Sequence, residues 1–275
     1  MSKINKAIGE IQNLTQMAEQ DQWMNRIHPL VKLLLTVMYI GVTVSFDKYD
    51  FSGVLSMAVY PIIIFILSDL SFKNALYRMR VVLPMVCIVG VFNPFFDKEV
   101  AGYIELGTTA DGVMRTLVVT GGVVSMLSLM VKGFLTVTAA YILIATTTIE
   151  KICYALRLIH VPKIIVTEIL LIYRYITLLL TEAKRVVQAY SLRAPGQNGI
   201  KFSAWGSLVG QMLIRSMDRA ENVYDSMCLR GFDGEFFIGE KVAFRGRDAV
   251  FLLSGIVVFV VFRCFPVFEM VGELF

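Results

Sequence analysis

The chain has 275 residues, of which 56% are hydrophobic and 17% charged, and its mean hydropathy is +0.68. That leaves too little polar surface to enclose a water-soluble globule, so the composition points to an integral membrane protein. The net charge of +4 is modest and dispersed, without the aromatic and basic interleaving of a nucleic-acid surface, so no nucleic-acid partner is expected.

Residues 1–29 are polar and mixed in charge, lack the succession of a cleavable signal peptide, and read as a cytoplasmic N-terminal segment. Residues 30–148 read as a transmembrane helical domain. Crossing about 30 Å of hydrocarbon takes about 20 helical residues. Candidate spans run from Leu30 to Phe46, Phe51 to Leu70, Val81 to Phe96, and somewhere within Gly112 to Thr148. As one straight helix the last region would measure about 55 Å, too long for a simple crossing. We therefore expect a crossing from about Gly133 to Thr148, with Gly112 to Val131 interfacial, kinked or re-entrant and a break near Lys132. Lys3, Lys6, Arg26 and Lys32 before or at the first span, and Lys73, Arg78 and Arg80 after the second, mark cytoplasmic sides. The acidic stretch from Asp97 to Asp111 marks an external one.

Residues 149–248 carry fourteen Lys and Arg, from Lys151 to Arg247, and read as a cytoplasmic domain. Thr147 and Glu150 fit a capping box for a short helix ending at Leu158. Pro162 suits the first turn of the next helix, which runs to about Leu192 and is unusually apolar, with Glu168, Arg174, Glu182 and Arg185 on a sparse polar side. Ser203 suits the cap of a further helix. Its Leu213, Met217, Ala220, Tyr224 and Met227 form an apolar stripe, and Gly206 and Gly210 a close-packing element. Residues 249–275 hold a final transmembrane helix, for about five in all. The expected fold is thus an all-α integral membrane protein with a cytoplasmic domain of amphipathic helices.

Two hexads repeat one pattern where these helices stop: Ala189-Tyr190-Ser191-Leu192-Arg193-Ala194 and Ser226-Met227-Cys228-Leu229-Arg230-Gly231. Each is a small residue, three spacers, an arginine and a small residue. A cation at a helix C-terminus is favoured by roughly 0.3–1 kcal/mol, which accounts for one arginine but not for two matching hexads. A paired docking device does. No phosphate-binding loop, zinc-protease motif or nucleophile elbow is present, so neither catalysis nor unaided ATP hydrolysis is expected. Cys87, Cys153, Cys228 and Cys264 are isolated and read as small core residues, while His28 and His160 stand far apart. No resident cofactor or metal is expected.

From Thr146 to Phe232, and more weakly from His28 onward, the chain resembles the T component, or transmembrane coupling subunit, of energy-coupling factor transporters, the cobalt-type branch most of all. The resemblance rests on Thr146-Thr147-Thr148 with Glu150, on Arg174-Tyr175-Ile176 followed by Glu182, and on the two hexads. Three positions depart from the family pattern: His28 precedes Pro29 where aspartate is usual, Thr177 replaces a proline, and Ala194 replaces a glycine. The resemblance implies a non-catalytic subunit of a multi-pass prokaryotic plasma-membrane importer. Its partners would be two cytoplasmic ATPase subunits and a membrane substrate-binding subunit. Ala189, Arg193, Ala194, Ser226, Arg230 and Gly231 would couple to the ATPases. Cobalt is the expected cargo, with nickel or a vitamin as alternatives, and a stand-alone secondary transporter as the rival class.

Overall fold

The computed structural model describes residues 2–20, 23–47, 50–68, 75–76, 84–88, 90–91, 100–108, 114–193, 196, 199–234, 236 and 244–264. The described chain is helical apart from one two-stranded ribbon. It divides into two compact units: unit 1 comprises Met1–Gln20 with Thr147–Val242, and unit 2 comprises Asp21–Thr146 with Ala243–Phe275.

Unit 2 contains α2 (Pro29–Val44), α3 (Phe51–Ser56), α4 (Val59–Leu67), β1 (Val100–Thr108), β2 (Met114–Thr120), α5 (Gly121–Thr146) and α9 (Gly246–Cys264). Val31, Leu35 and Tyr39 recur every four residues along α2, so they share one face, and all three are fully buried. That face meets α9 closely. A Cβ added at Gly255 would lie 2.6 Å from Leu35 Cδ2. Phe259 packs 5.5 Å from the Tyr39 ring and 5.0 Å from Tyr60, and the two tyrosines stack at 4.8 Å.

The expected span from Phe51 to Leu70 is interrupted by a turn at Met57 and Ala58. Pro61 explains it: lacking an N–H, it cannot bond the carbonyl four residues earlier, that of Met57. The Tyr39 hydroxyl donates to that carbonyl at 3.0 Å, alongside a longer 3.4 Å bond from the Tyr60 amide. Buried threonines solve the same problem locally. Thr36, Thr43, Thr138 and Thr146 each donate to the carbonyl four residues back, which satisfies the hydroxyl without water.

Two expectations for residues 112–148 are corrected. Residues Met114–Thr120 form β2, paired antiparallel with β1, instead of an interfacial, kinked or re-entrant part of the crossing. Thr116-Leu117-Val118-Val119-Thr120 is rich in β-branched residues, and high hydropathy alone does not distinguish strand from helix. Next, α5 runs unbroken through Lys132. The Lys132 ammonium donates to the carbonyls of Phe46 and Asp47, just past the end of α2, so the charge is met by the fold and forces no break. At the other end of α2, Lys32 Nζ donates to the carbonyl of Thr146 at 2.8 Å. The two bonds make α2 and the second half of α5 antiparallel neighbours. The expected span from Val81 to Phe96 lies largely outside the described residues, of which 84–88 are helical.

Among the described residues, α5 and the unit 1 helix spanning Lys163–Arg193 are long and apolar enough to cross a membrane; Pro29–Val44 and Gly53–Leu67 are shorter and apolar.

Candidate functional site

Unit 1 contains α1 (Ser2–Glu19), α6 (Ile149–Leu158), α7 (Lys163–Arg193) and α8 (Phe202–Leu229). Helix α6 is capped one residue later than expected. Thr148, whose backbone is extended, accepts from the Lys151 amide at 3.4 Å, while Thr147 is buried. Pro162 lies just before α7 and accepts from Ile165 at 3.1 Å, so it flanks the helix instead of starting it. For α8 the capping position is Lys201, not Ser203, and no side chain caps it.

Helices α7 and α8 form an antiparallel hairpin. Near its closed end the Tyr190 hydroxyl accepts from the Lys201 amide at 3.5 Å, and at its open end Thr167 donates to the carbonyl of Gly234 at 3.4 Å. Between these, Glu182 of α7 accepts from Arg215 of α8 and, at 3.4 Å, from Arg185 one turn along its own helix. Little apolar interlocking supports this ion pair: α8 has no buried residue, and α7 buries Val166 and Val186.

Both arginines end their helices. Arg193 is the last residue of α7 and Arg230 is the C-cap of α8, and both are exposed. Their positions along the hairpin are opposite. Arg193 lies eleven residues beyond Glu182 and Arg230 fifteen beyond Arg215. At 1.5 Å per residue the two tips therefore project in opposite directions from the ion pair, up to roughly 40 Å apart.

Ala189 and Ser226 precede the arginines by four residues, which puts each small side chain on the same helix face as its arginine. Both are exposed, and Ser226 turns its hydroxyl back to the carbonyl of Asn222 at 2.7 Å. Ala194 lies outside the described residues. Gly231 has a structural reason of its own. It adopts φ +79°, its amide bonds the carbonyl of Cys228 and the Phe232 amide that of Met227, both at 3.0 Å. These are the paired bonds of a Schellman ending, which requires a left-handed residue at this position.

The expected apolar stripe on α8 is not one buried seam. Leu213, Met217 and Tyr224 are each more than half exposed. The C-terminal part, Ala220, Tyr224 and Met227, faces a groove of about 630 Å³ whose α7 side is formed by Leu171, Tyr175 and Leu179. Nothing lies within 4 Å of a Cβ placed on Gly206 or Gly210, so close packing there involves no described residue. A second, more polar opening lies between α1 and α7, where the Thr15 and Tyr173 hydroxyls are 2.6 Å apart.

Among the described residues, no group of three or more His, Cys, Asp or Glu is placed to hold a metal ion. The core reading of the cysteines fits Cys153, which is buried and whose thiol is pushed up to about 11 by that burial and by Glu150. It fails for Cys87 and Cys228, which are exposed. No local pattern signals the Glu182–Arg215 pair, since 33 residues separate its members; only packing of the hairpin joins them.

The profile of a family described as "CbiQ: Cobalt transport protein" matches residues 20–238. Three relatives are similar to the chain in sequence. One uncharacterized protein of Methanocaldococcus jannaschii is 28% identical over 125 residues, covering 44% of this chain and 42% of its own length. A second from the same organism is 23% identical over 229 residues, covering 77% and 78%. Nickel permease LarQ of Lactiplantibacillus plantarum is 23% identical over 117 residues, covering 42% and 43%. The chain thus spans about two fifths of the first and third relatives and more than three quarters of the second.

Proposed function

Because the chain belongs to the CbiQ family of cobalt transport proteins, the T-component family of energy-coupling factor transporters, we propose that it is the coupling subunit of an ATP-driven importer. In this reading it carries no catalytic or cargo-binding site. It transmits the closing of two cytoplasmic ATPase subunits to a membrane subunit that holds the cargo, in the plasma membrane of a prokaryote.

The observation that carries this reading is the placement of Arg193 and Arg230 at opposite, exposed ends of one hairpin. One tip for each of two ATPase subunits needs such a separation. A guanidinium suits the task, being permanently charged, planar and able to engage a carboxylate or backbone carbonyls through a rigid fork. Ala189, Ala194, Ser226 and Gly231 add little bulk beside it, so the tip can enter a groove. Residues 149–248 form the cytoplasmic coupling domain, and residues 30–148 and 249–275 the membrane domain. The grouping of 147–242 into one compact unit supports this division. Helix α7, apolar enough to cross a membrane, lies instead at the headgroup level or against partner helices, as the charges of Glu168, Arg174, Glu182 and Arg185 along it favour.

Cobalt is the cargo that the family description favours; nickel is the alternative that the similarity to a nickel permease supports. Removing a buried interfacial arginine costs about 2 kcal/mol or more, roughly a 30-fold loss of affinity. Arg193→Glu combined with Arg230→Glu is therefore expected to abolish co-purification of the ATPase subunits and ATP-dependent uptake of radiolabelled cobalt(II). Wild-type association and uptake in the double variant would show the docking reading to be wrong.

A further inference from the structure

The chain passes between its two units three times, after residues 20, 146 and 242. Unit 2 brings together described residues that follow or precede these three crossings. Lys32, on the first turns of α2, donates from Nζ to the carbonyl of Thr146, the last residue of α5, at 2.8 Å. Asp248, in the first turn of α9, accepts from the His28 amide through Oδ1 at 3.2 Å and from the Arg245 amide through Oδ2 at 2.8 Å. His28 and Lys32 are one turn apart, so the two sets of bonds share the start of α2.

The charges that do this are buried, Lys32 at 3% exposure and Asp248 at 2%. Burying a charge costs free energy that an apolar pair of the same size avoids, so stability alone is a weak reason for them. Lys32 also stands near the N-terminal end of α2, where the helix dipole disfavours a cation, and is compensated by the carboxyl end of α5. What the two charges add is direction. Each bonds main-chain groups at helix ends, so the three segments are held in one register.

We propose that Lys32 and Asp248 are positioning residues that latch the three exits of unit 2 into a single mount. A stroke received by unit 1 then reaches unit 2 through all three connections together, instead of being absorbed by one of them. The proposal rests on the coupling role proposed above.

The test uses the complete transporter in liposomes, with cobalt(II) uptake and ATP hydrolysis measured side by side. Lys32→Met and Asp248→Asn are expected to retain ATPase association while uptake per ATP hydrolysed falls on the order of tenfold, with Lys32→Arg recovering most of the loss. An unchanged ratio in assembled complexes overturns the latch. A measurement on the wild-type complex covers variants that fail to assemble: hydrogen exchange at the His28 and Arg245 amides. These amides are expected to stay equally protected with and without ATP, and opening of either in one state overturns the proposal. The two readings fail separately. If the arginine-reversed chain still couples, the coupling role falls; if the arginines are essential and the latch variants keep the wild-type ratio, only the latch falls.

Discussion

At the residue scale, several single side chains decide how a helix begins or ends. His28 stands where the resembled family has aspartate, yet the capping function survives: its Nδ1 accepts from the Leu30 amide at 3.2 Å, with Pro29 opening the helix. Helix endings show the reverse case, one motif met by a suitable and by an unsuitable residue. Gly231 and His160 both take left-handed conformations, at φ +79° and +66°, and both sit in paired Schellman bonds. For a non-glycine residue this backbone costs roughly 1–2 kcal/mol. Gly231→Ala is therefore expected to destabilise the chain by about 1 kcal/mol and His160→Gly to stabilise it by up to about 1 kcal/mol. Denaturant unfolding in detergent measures both, and opposite signs are required.

The cysteines give a second expectation at this scale. A thiol reacts as the thiolate, so with its titration pushed up to about 11, Cys153 is only roughly one part in a thousand ionised at pH 8, and it is buried as well. Brief maleimide treatment of the folded protein, read by peptide mass spectrometry, is expected to modify Cys228 and spare Cys153.

At the scale of elements, the α7–α8 hairpin is held in an unusual way. With so few buried residues on either helix, the Glu182–Arg215 contact, in which Arg215 is half exposed, is the ion pair that joins the middle of the hairpin, between the Tyr190–Lys201 and Thr167–Gly234 bonds at its ends. Exposed ion pairs contribute up to about 1 kcal/mol, so Glu182→Ala should scarcely alter unfolding. It should alter geometry. Spin labels at Ala189 and Ser226 are expected to give a broader distance distribution in Glu182→Ala, and a narrow one again when Glu182→Arg is combined with Arg215→Glu. A distribution unchanged by Glu182→Ala would remove the pair from any role in setting the tips. Elements also show where hydropathy misleads. The segment Met114–Thr120 lies in a stretch read as part of a membrane crossing but pairs as a strand, and the largely apolar stretch after Phe51 is broken at Met57 and Ala58, ahead of Pro61.

At the scale of the whole molecule, the chain makes two units from interleaved segments, so the unit containing the arginine tips is built from residues 1–20 together with 147–242. The helical ends at Arg193 and Arg230, the helix after Thr148 and the apolar span containing α2 were all legible in the sequence, because capping chemistry and hydropathy act locally; which face of α2 is buried was not. Local pattern also carried the resemblance to a transport family, through short motifs in a fixed order. Tertiary structure alone decided that the two arginines point to opposite ends of one hairpin, that Glu182 meets Arg215, and that Lys32 and Asp248 gather three chain segments. Those contacts join residues 33 to 220 positions apart, and no local propensity encodes a bond whose partner is set by how helices pack.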